Sequence, residues 1–188
     1  DYFSYSYAAY GDSKAMDEDL FNAIPAYDAR KDQFLNVAGQ LYLMPINKFY
    51  DDDRVPAGAS QTVTADYVYM REAEMMLLNA EALAKSGQDG PAREMLRNLL
   101  SQRVPDTSYL DALSGTALQD EIYLQTRIEL WGEGKAYLAL KRNQGTVVRG
   151  GNHLSFVGVP ISYDDERLTF EIPELEIQDN VNINTQNQ

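Results

Sequence analysis

Two helical stripes separated by one glycine turn constrain this chain more than any other feature. From Asp66 to Ser86, the residues Met70, Ala73, Met76, Leu77, Ala80, Leu83 and Ala84 recur every three or four positions, with Arg71, Glu74 and Glu81 between them. That is the period of an amphipathic helix. Gly87 ends the pattern, and glycine suits the left-handed turn that closes a helix. Asp89 then offers an N-cap with Pro91 in the first turn, and Ala92, Met95, Leu96, Leu99 and Leu100 draw a second stripe, Asp89 to Arg103, ending before Pro105. Helices joined this tightly must return on one another, so an antiparallel helical hairpin is predicted.

A third helix is announced by the capping-box pair Thr116 and Gln119, with Leu118, Ile122, Leu124, Ile128 and Trp131 as its apolar positions. Trp131 follows the buried stripe and is expected in the core. Gly132 and Gly134 weaken the end of this helix, and Lys135 to Arg142 reads as a short fourth one. The hairpin also carries the spacing of a tetratricopeptide repeat: Met76, Asn79, Ala80 and Leu83, then Ala92 and Leu96, then Pro105. Ala80 and Ala92 are the small residues that let two helices approach, and Leu83 and Leu96 are the large ones that fill between them.

Outside this block the pattern changes. Residues 1–65 are rich in turn formers, with a short helix expected near Met16 to Asn22, and the segment after Arg142 contains the glycine-rich loop Gly145 to Gly158. The last thirty residues, with Pro160, Pro173 and an Asn/Gln-rich end, read as a wrapping tail without its own core. The expected fold is therefore all-α, tetratricopeptide-like helical hairpins with long irregular loops and an extended C-terminal tail. Its expected division is 1–65 loop-rich, 66–142 helical and 143–188 loop and tail.

Composition removes several functions. With no cysteine and one histidine, the chain cannot form disulfides, thiolate zinc sites, thiol nucleophiles or multi-histidine metal centres. A net charge of -13 opposes the phosphate backbone of nucleic acids. No run approaches the roughly 20 apolar residues that span a bilayer. There is no Gly-rich phosphate loop and no Ser-His-acid set, so no catalysis and no cofactor are expected.

Three segments resemble the carboxyl-terminal half of the SusD/RagB family, surface nutrient-binding lipoproteins of Bacteroidetes. DLFNAIPAYDARKDQFL at Asp19 to Leu35 is similar to the family's "LYNxIPxTDxRK". DYVYMREAEMMLLNAEALAKSG and the later RIELWGEGKAYLALKRN look like "RxAExYLxxAEAxxxxG" and "RxxELxxEGxRWxDLKR". The ending RLTFEIPELEIQDNVNINTQN is similar to "PIPxxEIxxNxxxxQN". Leu138, Ala139 and Leu140 stand where the family usually has aromatic-Asp-Leu, so any salt bridge of that Asp is absent. Ala136 sits where a larger or basic residue is common. The resemblance implies a non-catalytic protein that holds an oligosaccharide or other nutrient beside a SusC-like TonB-dependent transporter. It further implies an outer-membrane, cell-surface location through a lipid anchor upstream of this chain, which reads as the carboxyl-terminal piece of a longer protein.

The best ligand candidates are Tyr2, Phe3, Tyr5, Tyr7 and Tyr10, an alternating aromatic run. Such rings can stack on sugars while their hydroxyls hydrogen-bond, or can instead pack an extended segment onto the scaffold. Asp51, Asp52 and Asp53 could contribute to a calcium site, but without EF-hand spacing they read as a solvated turn, as do Asp164, Asp165 and Glu166. Glu129 and Glu133, one turn apart, could do acid/base work, yet Arg127 and Lys135 close by make charge pairing the simpler reading. Arg71, Glu74 and Glu81 read as scaffold charges, and His153 as a loop histidine without a partner. The other function class open to such a chain is a tetratricopeptide scaffold that binds a protein partner in its helical groove.

Overall fold

Helices dominate the described chain, which comprises residues 15–34, 43, 45, 48, 68–183, 185 and 186 of this computed structural model. In order they are α1 (Glu18–Ala23), α2 (Glu72–Lys85), α3 (Asp89–Leu100), α4 (Gly115–Glu129), α5 (Ala136–Arg142) and α6 (Glu174–Asp179). The only sheet among the described residues pairs β1 (Thr146–Val147) antiparallel with β2 (Ile161–Ser162), Thr146 opposite Ser162. The fold is all-α and tetratricopeptide-like, as the periodicity requires.

The hairpin closes as its glycine predicts. Gly87 takes φ +77°, its N–H donates to the Ala84 carbonyl at 3.1 Å, and the Gln88 N–H reaches the Leu83 carbonyl at 2.9 Å. These two bonds are the Schellman arrangement, which needs a left-handed residue. The stripes of α2 and α3 then meet α4 in one apolar cluster, where Ala80, Ala92, Leu110, Leu118 and Ile122 are fully enclosed and Leu96 nearly so. A second cluster gathers Met16, Leu20, Phe21, Ile24, Phe34 and Leu43 around Ile128 of α4. Half-buried Trp131 closes its edge, its ring 5.1 Å from that of Phe34 in an edge-on contact. The two clusters thus share α4, one on each side.

Ala80 is fully buried in the first cluster. Ala80→Leu is expected to destabilise the protein by about 1–3 kcal/mol through overpacking. A thermal melt identical to that of the parent would refute the tetratricopeptide register.

Boundaries differ from expectation: α1 starts at Glu18 rather than near Met16, α4 ends at Glu129 before Trp131, α5 starts at Ala136, and four further differences have identifiable causes. The α2 helix starts at Glu72, because Arg71 is extended (φ -138°, ψ 160°) and its side chain is anchored elsewhere. Val68, Tyr69 and Met70 therefore lie exposed before it, and Asp66 falls outside the described residues. The α3 helix ends at Leu100 and a turn carries residues 101–103. Asp89 is not a cap but the first residue of α3, and its carboxylate accepts the Gly115 N–H at 2.8 Å, tying the starts of α3 and α4 together. Nor does Thr116 cap α4: the cap position is Ser114, two residues earlier, and Gln119 donates to the Ala84 carbonyl instead.

After α5 the chain leaves the core. Of residues 151–183 only Ile161 is buried, and α6 buries nothing. The tail is held by point contacts, such as the Tyr137 hydroxyl donating to the Leu168 carbonyl at 2.7 Å and the Tyr137 ring meeting Phe170.

Candidate functional site

The aromatic run Tyr2, Phe3, Tyr5, Tyr7 and Tyr10 lies outside the described residues, as do Asp51, Asp52 and Asp53. Within them, the densest chemistry is an ion cluster where four separate stretches of chain converge on the end of α4.

Glu129 is its centre. Its Oε1 accepts from Arg71 Nη1 at 2.7 Å and Arg103 Nη2 at 2.9 Å, and its Oε2 from Arg30 Nη1 and Arg103 Nε, both at 3.2 Å. The Glu129 carbonyl takes Lys48 Nζ at 2.7 Å and Arg71 Nη2 at 2.5 Å. One turn on, Glu133 receives Arg71 Nε and Nη2 at 2.9 Å each, with Lys48 Nζ also at 2.9 Å. Arg30 is locked from its other side by Asp28 at 2.6 Å and by the Gln125 amide oxygen at 2.6 Å. Gln125 in turn donates to Glu121, which accepts the Tyr109 hydroxyl at 2.6 Å. A short turn at Ala29–Gln33, capped by Asp28, presents Arg30 to this network, while the Ala29 N–H donates to the Arg103 carbonyl.

The electrostatics follow from the count of cations. Burial alone would push the Glu129 carboxyl up, but hydrogen bonds from Arg103 and Arg71, together with their charges, hold it down at about 2. Glu133 is lowered for the same reason by Arg71 and Lys48, against burial that would raise it. Lys48 is lowered, since its desolvation outweighs the pull of Glu133. Burial and the bond to Glu121 raise the Tyr109 hydroxyl.

Both glutamates are therefore ionised near neutral pH with their oxygens occupied by guanidinium donors, the opposite of the free, mid-range carboxyl that general acid/base work needs. Charge pairing is their role, with different partners from those expected. Lys135 pairs with Glu74 at 3.1 Å and Arg127 lies over the Tyr123 ring, whereas the cations on Glu129 come from residues 26 to 99 positions away. Sequence reading missed Asp28, Arg30, Lys48 and Arg103. The available signal was Glu129 itself, seven residues after Ile122 on the buried face of α4, where a charge requires a partner.

The remaining candidates are simpler. Glu81 is bridged to Arg142 at 3.1 Å and to Lys85 at 3.3 Å. Glu81 and Arg142 line, with Glu74, Lys135, Leu77 and Leu130, a cleft of about 170 Å³, smaller than the roughly 300 Å³ at which small-molecule sites begin. Asp165 caps a turn and holds Arg167, and Asp164 accepts from Ser162, as solvated turn residues do. His153 departs from expectation: it is half-buried and faces Asp17. Among the described residues no group of three or more acidic or imidazole side chains could hold a metal ion, and no described helix is long and apolar enough to cross a membrane.

Comparison with known proteins gives a consistent result. The sequence pattern of one family, described as the SusD family, matches residues 2–187. No curated protein is significantly similar in sequence. Among solved structures, a SusD superfamily protein from Bacteroides thetaiotaomicron is 26% identical with a TM-score of 0.69, the match covering 97% of this chain and 43% of that one. A second, from Bacteroides vulgatus, is 24% identical with a TM-score of 0.68, over 86% of this chain and 35% of that one. A SusD-like carbohydrate binding protein, also from Bacteroides vulgatus, shares the fold at 23% identity and a TM-score of 0.63, over 93% of this chain and 42% of that one. The chain thus spans less than half the length of the solved structures it matches.

Proposed function

Because the chain belongs to the SusD family, we propose that it is the helical carboxyl-terminal part of a cell-surface protein that binds a glycan without turning it over and works beside a TonB-dependent outer-membrane transporter. Family membership along nearly the whole sequence is the observation that carries this reading. It is supported by the all-α scaffold and by the two glutamates fixed as ions. The relevant division is a loop-rich segment 1–65 that contributes contacts, a helical block 66–142 that supports it, and a tail 143–188 that wraps the block. In this reading the protein reaches the membrane through a lipid anchor and needs no cofactor.

The ligand contacts are assigned to Tyr2, Phe3, Tyr5, Tyr7 and Tyr10. Tyrosine offers flat apolar area and a hydroxyl to a sugar ring, and a chain of net charge -13 favours neutral saccharides over sulfated ones. Titration calorimetry of the protein against neutral and sulfated oligosaccharides tests this. Changing Tyr5, Tyr7 and Tyr10 to Ala should weaken the best ligand by about 1 kcal/mol per stacked ring. A folded triple variant that binds as tightly as the parent would refute the assignment.

A further inference from the structure

The segment between β1 and β2 presents to solvent what a folded chain normally hides. Val148, Leu154, Phe156, Val157 and Val159 are all exposed within the stretch 148–159, and the relative exposure of Leu154 is 104%, so its side chain projects clear of the surface. Single exposed apolar residues are ordinary, whereas a clustered set marks an interaction site.

The segment also holds a fixed shape. Its base is fastened to the start of α1: Asp17 Oδ2 accepts the Gly150 N–H at 2.7 Å, and the Asn152 amide accepts from the Glu18 N–H at 3.0 Å and donates to the Met16 carbonyl at 2.8 Å. Above that base the Gly158 N–H donates to the Arg149 carbonyl at 3.0 Å, and Arg149 Nη1 donates to the Ser155 hydroxyl at 3.1 Å. Phe156 is kept at φ +56°, a conformation that costs a bulky residue energy and persists only where its surroundings impose it. Arg149 and Arg167 both lie over its ring, each 5.6 Å from the centroid. Aromatic and arginine side chains held ready in this way are the usual anchors of protein interfaces.

Charge narrows the choice of occupant. The chain has 29 acidic residues, yet residues 135–163 contain none and carry Lys135, Lys141, Arg142 and Arg149. Lys135, Arg142 and Arg167 are matched by Glu74, Glu81 and Asp165. Arg149 bonds only to Ser155 and has no carboxylate partner among the described residues. An apolar tip beside an unopposed cation complements an apolar pocket edged by carboxylates. A projecting tip cannot enclose a saccharide, since small-molecule sites are concave. Two copies joined face to face would bring like charges together across the axis, and a net charge of -13 opposes an anionic bilayer.

We propose that the loop at residues 148–159 is a docking knob for a protein whose surface offers an apolar pocket edged by carboxylates, with Leu154 and Phe156 entering the pocket and Arg149 meeting its rim. Resting on the reading that the protein works beside an outer-membrane transporter, the inference makes that transporter the partner.

The tagged protein is isolated from its own outer membrane in mild detergent, and the recovered transporter is identified and quantified by mass spectrometry. Leu154→Asp should lower that recovery at least about tenfold, as the loss of an interface anchor does. Val181→Asp, at a residue 94% exposed but outside the loop, should leave it unchanged, and both variants should melt like the parent. Recovery with Leu154→Asp equal to that of the parent, or an equal loss with Val181→Asp, overturns the docking assignment and leaves the transporter reading standing. A parent protein that brings down no transporter overturns both. Binding of the parent to vesicles of phosphatidylcholine and phosphatidylglycerol, or its self-association in sedimentation, lost in Leu154→Asp, would make a bilayer or a second copy the occupant and overturn the proposal.

Discussion

Glu129→Ala is expected to destabilise the protein by about 3–5 kcal/mol, the cost of removing one side of a buried ion pair. Arg30 would be left 3% exposed with only Asp28 as a carboxylate partner, and Arg71 and Arg103 would lose their shared acceptor. Chemical denaturation with urea reads this as a lowered midpoint at unchanged slope. A midpoint equal to that of the parent would show that the cluster contributes nothing. Glu133→Ala should cost less, about 1.5–3 kcal/mol, as the loss of charged hydrogen bonds at a more open edge. The Glu129 carboxylate also gives a pH dependence. Its value is depressed from 4.5 to about 2, so its contribution is fully present above about pH 4.5 and is lost as pH falls through about 2. That span corresponds to about 3 kcal/mol of stability, and in Glu129→Gln the acid-side loss should be correspondingly smaller.

Leu96→Ala is expected to cost about 2–5 kcal/mol, because the side chain is 1% exposed in the cluster shared by α2, α3 and α4 and its removal leaves a cavity. Differential scanning calorimetry would register a lower melting temperature. Met95 provides the contrast, since it lies only partly buried at the margin of the same cluster and should lose less on truncation. Equal losses at the two positions would mean that the stripe is misassigned.

What could be read from the sequence was local. The hairpin was legible because one stripe, one glycine and a second stripe specify helix, turn and helix within forty residues, and each device acts on its immediate neighbours. The period of α2 continues toward Asp66, but the aromatic and β-branched run at Tyr67, Val68 and Tyr69 disfavours helix, and α2 starts only at Glu72. The ion cluster was not legible as a cluster. Five of its members stand in the family-like segments, Asp28 and Arg30 in the first, Arg71 in the second and Glu129 with Glu133 in the later part, while Lys48 and Arg103 lie outside them. Nothing in a linear pattern says that an arginine will meet a glutamate 99 positions away. The same limit applies to His153 and Asp17, which are neighbours only because a loop returns across the molecule.

The reach of those ion pairs orders the folding process. The bonds that close the hairpin join residues at most five apart in sequence, Leu83 to Gln88, whereas Glu129 gathers partners at separations of 26, 58 and 99. Loop-closure entropy must be overcome before a distant contact can contribute. On that ground the hairpin is expected in the early nucleus and the charged hub after the barrier, an order that folding and unfolding rates of Glu129 and Leu96 variants would test. An interaction absent at the barrier governs how long the native state lasts, not how quickly it is reached, so Glu129 acts as a bolt on the finished molecule, and its loss shows as faster unfolding.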